Sequence, residues 1–229
     1  MTEEILNTDT APEAPPPPPQ QEEASPIRLV LTLGIAGALA GFLIVFVYVA
    51  TLPAITAYKA EVLRQAIQEV LGAPESFDTL YVVDGELAEQ LPAGAQPEDY
   101  DRIYPGYRED GSQVGFAIQS AEFGFQDEIR LIFGYDAQAE SILGMLVLEH
   151  TETPGLGDKI VKDLEFVGQF SQSTAPLVGV KIGAGTGSSG EIDMITGATI
   201  SSRAIIRIIN NALEQLDPMI EAYNGGGSR

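Results

Sequence analysis

Cysteine is absent from this chain of 229 residues, and histidine occurs once, as His150. Without thiols there can be no disulfide, no thiolate zinc site and no cysteine-ligated iron–sulfur cluster. A single imidazole argues against a multi-histidine metal centre. Any redox role would therefore rest on an organic cofactor. The missing thiols leave the compartment open, because such a chain suits either side of a membrane. Basic residues are also scarce: 12 Lys and Arg face 33 Asp and Glu, a formal net charge of −21. A surface this acidic repels phosphate backbones, so nucleic acid is not an expected partner. Apolar residues, at 45%, suffice for a core, and the length allows one substantial domain with appendages or two small domains.

Residues 1–27 contain no Lys or Arg and carry a proline run from Pro15 to Pro19. Such a segment cannot bury apolar surface and is expected to be a disordered tail; a proline-rich docking ligand is the alternative. No charge occurs from Leu29 to Leu52. A helix over this run spans roughly 36 Å at about 1.5 Å per residue, enough for a bilayer core. A transmembrane helix over residues 28–52 is expected rather than a cleaved signal, because the run is long and an acidic tail precedes it. Gly37 and Gly41 have the spacing that lets a second helix approach closely. Orientation is poorly determined: Arg28 lies before the span and Lys59 and Arg64 after it, a slight lean toward placing the large domain inside.

A linker helix over residues 53–74 follows, with Pro53 as a kink site and Gly72 and Pro74 as its end. Residues 75–224 then read as one α+β domain with an antiparallel sheet and packed helices, before a flexible tail at 225–229. Strands are expected at Tyr81–Val83, Arg102–Tyr107, Val114–Ser120, Ile129–Tyr135, Ile142–Leu148 and Leu177–Ile182. Helices are expected at Asp158–Phe170 and Ile200–Tyr223, and the stretch Gly183–Gly190 should be a flexible loop.

Two segments carry chemistry. Asp193-Met194-Ile195-Thr196-Gly197-Ala198-Thr199 ends where the second apolar-periodic helix begins. Unpaired N–H groups and the positive end of the helix dipole favour a phosphate there. Thr199 stands at that position. Gly197 and Ala198 offer little bulk, and Asp193 is placed to hydrogen-bond the turn. The plain alternative is an ordinary capped helix start. The second segment is His150-Thr151-Glu152-Thr153-Pro154-Gly155-Leu156-Gly157, a stiff turn at a strand end. Its backbone can approach the edge of a planar ring, Leu156 can pack on a ring face, and Glu152 and Thr153 can bond ring heteroatoms or brace the loop. The plain alternative is a tight β-to-α turn with a solvated Glu152. His150 most simply caps or packs; a proton relay is the alternative, since imidazole changes charge near neutrality. Lys159 can neutralise an anion or be a surface charge.

Together the two segments resemble the flavin-binding subunits of two membrane redox complexes: the G subunit of the Rnf electron-transport complex and the C subunit of the sodium-pumping NADH:quinone oxidoreductase. The family pattern runs Asp, variable residues, Ser or Thr, Gly, Ala, Thr, and Thr196, Gly197, Ala198 and Thr199 supply it without a gap. Glu152-Thr153-Pro154-Gly155-Leu156-Gly157, with Asp158-Lys159, matches the Rnf-type loop. The turn Gly124-Phe125-Gln126-Asp127-Glu128-Ile129 matches more loosely and receives no role. The resemblance covers roughly Arg102 to Leu216 and omits the acidic tail. It implies FMN esterified through its phosphate to Thr199, with Thr196, Gly197, Ala198, Glu152, Thr153, Gly155, Leu156, Gly157 and Lys159 as surrounding cofactor-binding positions. It also implies an electron-carrying subunit of an ion-translocating ferredoxin:NAD oxidoreductase, not catalytic alone, in a bacterial inner membrane with the flavin domain outside. Other members of the complex and a flavin transferase drawing FMN from FAD are the implied partners. No glycine fingerprint for nicotinamide is visible, so NAD and ferredoxin should bind elsewhere. The sodium-pumping relative and a non-redox anchored module stay open as alternatives.

Overall fold

In a computed structural model of the chain, which describes residues 25–226, the first element is a helix of 45 residues, α1 (Pro26–Val70). Most of the expected tail (residues 1–24, including Pro15–Pro19) and the last three residues lie outside that range. α1 runs through Pro53 without a break in the helix. By packing, the chain divides after Ala54. Every residue of α1 from Pro26 to Ala60 is exposed, and α1 is the one helix among the described residues long and apolar enough to cross a membrane. Uninterrupted exposure of large apolar side chains is stable only against an apolar medium or a partner.

The unit from Ile55 onward is built on one sheet. Its strands are β1 (Ser76–Phe77), β2 (Leu80–Val83), β3 (Glu86–Ala88), β4 (Arg102–Tyr107), β5 (Gln113–Phe123), β6 (Glu128–Asp136), β7 (Ser141–Glu149) and, after two short helices, β8 (Ser173–Thr174). The order is β3-β2-β4-β5-β6-β7-β8 with β1 on β4, and every pairing is antiparallel. The α+β architecture is the one the sequence predicts. Asp84 and Gly85, at φ 51° and 82°, close the β2–β3 hairpin with the two left-handed residues that a tight hairpin turn requires. The helix expected over Asp158–Phe170 is instead two: α2 (Lys159–Lys162) and α3 (Leu164–Gly168). Asp163 separates them because it takes an extended conformation and its carboxylate caps the Phe166 N–H at 3.1 Å.

Period-two alternation gives the sheet two apolar faces. Ile103, Phe116, Ile118, Ile129, Leu131, Phe133 and Tyr135 point to the face covered by the last helix, α4 (Thr199–Gly226). α4 lays Ile205, Ile206, Ile208, Ile209, Leu213, Leu216 and Ile220 into that core. Each such side chain, fully buried, contributes roughly 1.5–3 kcal/mol. Tyr104, Ala117 and Ile132 point the other way and are covered by the end of α1, through Ala66, Ile67, Val70 and Leu71. The last turns of the segment read as a linker therefore belong to the core. A Cβ on Gly134 would lie 2.2 Å from the Val70 carbonyl oxygen, so only glycine admits α1 this closely. Gly134→Ala is expected to destabilise the domain by about 1–3 kcal/mol, read as a lowered thermal midpoint of the full chain in detergent.

A second, two-stranded parallel sheet joins β9 (Val178–Lys181) to β10 (Glu191–Met194). The loop between them, expected to be flexible, is tied by the Glu191 carboxylate. It accepts the Thr186 and Gly187 N–H groups at 2.6 and 3.0 Å and the Thr186 hydroxyl at 2.8 Å. These hydrogen bonds, the Thr186 hydroxyl first, hold the Glu191 carboxyl below its ordinary range. β10 leads directly into α4, which sets the start of that helix at one end of the main sheet.

Candidate functional site

The connection from β10 to α4 is a tight turn. The Ala198 N–H donates to Ile195 O at 3.0 Å, and Gly197 takes φ 85°. That φ is open to glycine and strained for other residues. The Ser202 hydroxyl locks the turn, donating to Ala198 O at 2.9 Å and accepting the Ile195 N–H at 3.2 Å. Among the described residues the Asp193 carboxylate makes no hydrogen bond to the turn. The Asp193 backbone is held instead by Gln169, whose Oε1 accepts the Asp193 N–H at 2.6 Å and whose Nε2 donates to Asp193 O at 3.2 Å.

Of the four hydroxyls at this helix start, two are committed. Ser202 is buried within the turn, and Ser201, also buried, donates to Glu152 Oε2 at 2.7 Å. Thr196 is exposed. Thr199 is half-buried at the first helical position, and its hydroxyl reaches Ile195 O only at 3.5 Å, the outer limit of a hydrogen bond. The N–H groups of Thr199, Ile200 and Ser201 have no acceptor among the described residues. Thr199 is thus a weakly engaged, reachable hydroxyl beside three free donors.

Glu152 is the organising residue, and its hydrogen-bond partners come from two distant parts of the chain. It is 4% exposed. Oε1 accepts the Phe125 N–H at 2.7 Å and the Gln126 N–H at 3.2 Å, both from the β5–β6 turn. Oε2 accepts the Ser201 hydroxyl from α4. Two glycines make room for it: a Cβ on Gly124 would lie 2.4 Å from Oε1, and one on Gly157 would lie 2.3 Å from Oε2. Both oxygens are spent inside the protein, so Glu152 braces the loop. The turn at Gly124, which the sequence leaves without a role, is one of the three parts this carboxylate joins. Nothing local marks the link, because its partners lie 26 to 49 residues away.

The Thr153–Gly157 turn is held from both ends. The Thr153 hydroxyl donates to Gln126 Oε1 at 2.9 Å, and Leu156 and Asp158 return their N–H groups to Thr153 O. The Gly155 N–H donates to Asp158 Oδ1 at 2.7 Å, and Lys162 Nζ donates to Asp158 Oδ2. The bond from Lys162, then the Gly155 N–H, the Lys162 charge and the more remote His150 keep the Asp158 carboxyl below its usual range. Gly155, at φ 79°, and Leu156 stay exposed at the crest. Lys159 is half-buried at the start of α2, with no ion pair among the described residues. His150 is half-buried and its Nδ1 is buried without a hydrogen-bond partner among the described residues.

Glu152 therefore ties the loop that carries Thr153, Gly155, Leu156, Gly157 and Lys159 to Ser201 in the first turn of α4, which follows Thr196, Gly197, Ala198 and Thr199 in the chain. Three large apolar side chains are exposed on the joined segments: Phe125, Leu156 and Ile200. Free N–H donors beside a reachable hydroxyl, a lysine (Lys159) without an ion pair among the described residues and exposed apolar side chains form a donor set that fits a flavin mononucleotide, which is an anionic phosphate and a planar aromatic ring.

The FMN-binding domain family matches residues 124–214, a stretch that contains both segments and the Gly124 turn. The G subunit of the ion-translocating oxidoreductase complex from Cereibacter sphaeroides is 31% identical over 218 residues, covering 93% of this chain and 94% of its own. The protein of the same name from Yersinia pestis is 32% identical, covering 72% of this chain and 79% of its own. The one from Methanosarcina acetivorans is 29% identical, covering 82% and 92%. Among solved structures, Shewanella oneidensis NqrC superposes with a TM-score of 0.62 at 17% identity, over 72% of this chain and 99% of its own. The C subunit of the Na(+)-translocating NADH-quinone reductase from Parabacteroides distasonis gives a TM-score of 0.55 at 18% identity, over 70% and 93%. At such identities these two structures establish the shared fold alone.

Proposed function

We propose that this chain, which belongs to the family of G subunits of ion-translocating oxidoreductase complexes, carries FMN covalently, joined through its phosphate to Thr199 Oγ1. The observation that carries this reading is the contrast among hydroxyls. Ser201 and Ser202 are buried and committed, whereas Thr199 is reachable and stands at the donor-rich start of α4. Bound there, FMN supplies electron transfer, the redox chemistry that a chain without cysteine and with one histidine lacks.

The chain's own residues do the holding. The free N–H groups of Thr199, Ile200 and Ser201 receive phosphate oxygens, aided by the helix dipole. Gly197 and Ala198 keep the approach to Thr199 open, and Thr196 lines it. Glu152 and Thr153 fix the β5–β6 turn and the Thr153–Gly157 loop against α4, so the ring meets a surface that is already in place. Gly155 and Gly157 permit that loop its shape, Leu156 would offer an apolar side chain to the ring, and Lys159 would supply positive charge to the bound group. Permanent attachment suits a fixed relay within a multi-subunit complex better than a soluble enzyme that exchanges its cofactor.

α1 serves as a single-pass anchor in a bacterial inner membrane, with the domain on the outer side, as in the family resemblance. Partner proteins of the complex supply the sites for ferredoxin and NAD, and a flavin transferase performs the attachment. The relatives at about 30% identity are G subunits, which favours this role over that of the sodium-pumping relative. Full-length protein produced with a flavin transferase should give a fluorescent band that survives a denaturing gel. Colourless protein of unmodified mass would instead support a non-redox anchored module.

A further inference from the structure

We propose that Arg203 is the counter-ion of the phosphate held at Thr199, an assignment that rests on the reading of Thr199 given above. The starting point is the charge balance. With 33 acids to 12 bases, a cation on this chain has carboxylates in excess. Lys59, Arg64, Arg130, Lys162 and Arg207 each stand within ion-pair distance of one. Arg203 is exposed on α4 and has neither an ion pair nor a side-chain hydrogen bond among the described residues.

Arg28, Arg102, Arg108, Lys159 and Lys181 also lack an ion pair among the described residues, and Arg203 differs from them in standing one helical turn after Thr199. The helical neighbours of Arg203 three and four residues away are Thr199, Ile200, Ile206 and Arg207, none of them acidic. Arg207 is itself engaged, with Nε 2.7 Å from Glu122 Oε2 and an NH2 group donating to Phe123 O at 2.6 Å. Two carboxylates of the loop joined to α4 are engaged within the protein. Glu152 has both oxygens bonded inside the protein, and Asp158 is held by Gly155 and Lys162. Arg203 is thus left free on the same face as Thr199.

Helix geometry aims it. Side chains tilt toward the helix N-terminus, so a long residue covers the turn before its own Cα. For Arg203 that turn is the one containing Thr199 and the three free N–H groups. Side chains four apart sit about 5–6 Å apart at Cβ, well within the reach of an arginine. A phosphate esterified at both ends retains one ionised oxygen pair, which a guanidinium fork matches and a lone ammonium matches less well.

The test uses the full chain in detergent, a purified flavin transferase with FAD as donor, and the variants Arg203→Gln, Arg203→Lys and Arg102→Gln. Arg102 is another arginine without an ion pair among the described residues, distant in sequence, and controls for net charge. Two quantities are read: the initial rate of attachment and the phosphorus NMR resonance of the attached phosphate. Arg203→Gln should slow attachment about fivefold and shift the resonance, Arg203→Lys should stay within about twofold, and Arg102→Gln should match wild type. A slower rate with an unmoved resonance would assign Arg203 to transferase docking and overturn the counter-ion role. Equal slowing in Arg102→Gln, or no change in Arg203→Gln, would overturn it too. If wild-type protein takes up no flavin at Thr199, the underlying reading fails together with the inference. If wild type is labelled and Arg203→Gln is indistinguishable from it, only the Arg203 assignment fails.

Discussion

Glu152→Ala is expected to destabilise the domain by about 2–4 kcal/mol, because it removes three hydrogen bonds to a buried carboxylate and leaves the buried Ser201 hydroxyl without its acceptor. For a chain of this size that corresponds to a fall in thermal midpoint on the order of 10 °C. The loss has a structural direction. Glu152 joins the β5–β6 turn, the Thr153–Gly157 loop and the first turn of α4, so its removal frees all three segments that frame Thr199. Alanine also leaves a void where Gly124 and Gly157 approach the carboxylate oxygens. Attachment of flavin should therefore fall along with stability. Ser201→Ala deletes only one of the three bonds and should cost about 1 kcal/mol. Glu152→Gln retains one acceptor oxygen and the volume, and should lie between alanine and wild type. A Glu152→Ala protein that melts with wild type and takes up flavin normally would show that the bridge is incidental.

Thr199→Ala should have the opposite profile: complete loss of covalent flavin with stability changed by no more than about 0.5 kcal/mol. The hydroxyl lies 3.5 Å from its one acceptor, so little binding within the fold is forfeited. Thr196→Ala should keep the flavin, and Thr199→Ser should keep it as well, because the reacting group is the hydroxyl. Ser201→Ala and Ser202→Ala should keep it too, apart from what they lose through destabilisation. Gel fluorescence after denaturation, set beside a melting curve for each variant, separates a lost attachment site from a lost fold.

The parts of this architecture written in local pattern are legible in the sequence. The β4 strand falls on the predicted Arg102–Tyr107, and β5, β6 and β7 only extend the predicted cores, because alternating apolar residues bounded by Asp-Gly and Phe-Gly turns describe half-buried strands directly. α4 is visible from its isoleucines. β10 is not, since four residues with one β-branched side chain, between a glycine loop and a helix cap, carry no strand signal. The break at Asp163 is hidden because the apolar spacing of Ile160, Val161, Leu164 and Val167 suits a single helix, and only the capping bond to Phe166 reveals two.

For the candidate site, the sequence points to both segments but not to how they meet. Glu152 can be read as a ring ligand or a brace until its partners are in place, and those partners, Phe125, Gln126 and Ser201, are remote in the chain. Asp193 looks like the residue holding the turn; the Ser202 hydroxyl holds it instead, and Gln169, beyond the end of a helix that the sequence draws as longer, holds the Asp193 backbone.

Mass mapping of trypsin-cleaved, denatured protein tests the central claim most directly. Cleavage after Lys181 and Arg203 isolates Ile182–Arg203, which contains every hydroxyl in contention. This peptide should carry the mass of FMN less one water, and fragmentation should place it on Thr199. An unmodified Ile182–Arg203 from transferase-exposed protein, or an adduct on Thr196, Ser201 or Ser202, would contradict the account.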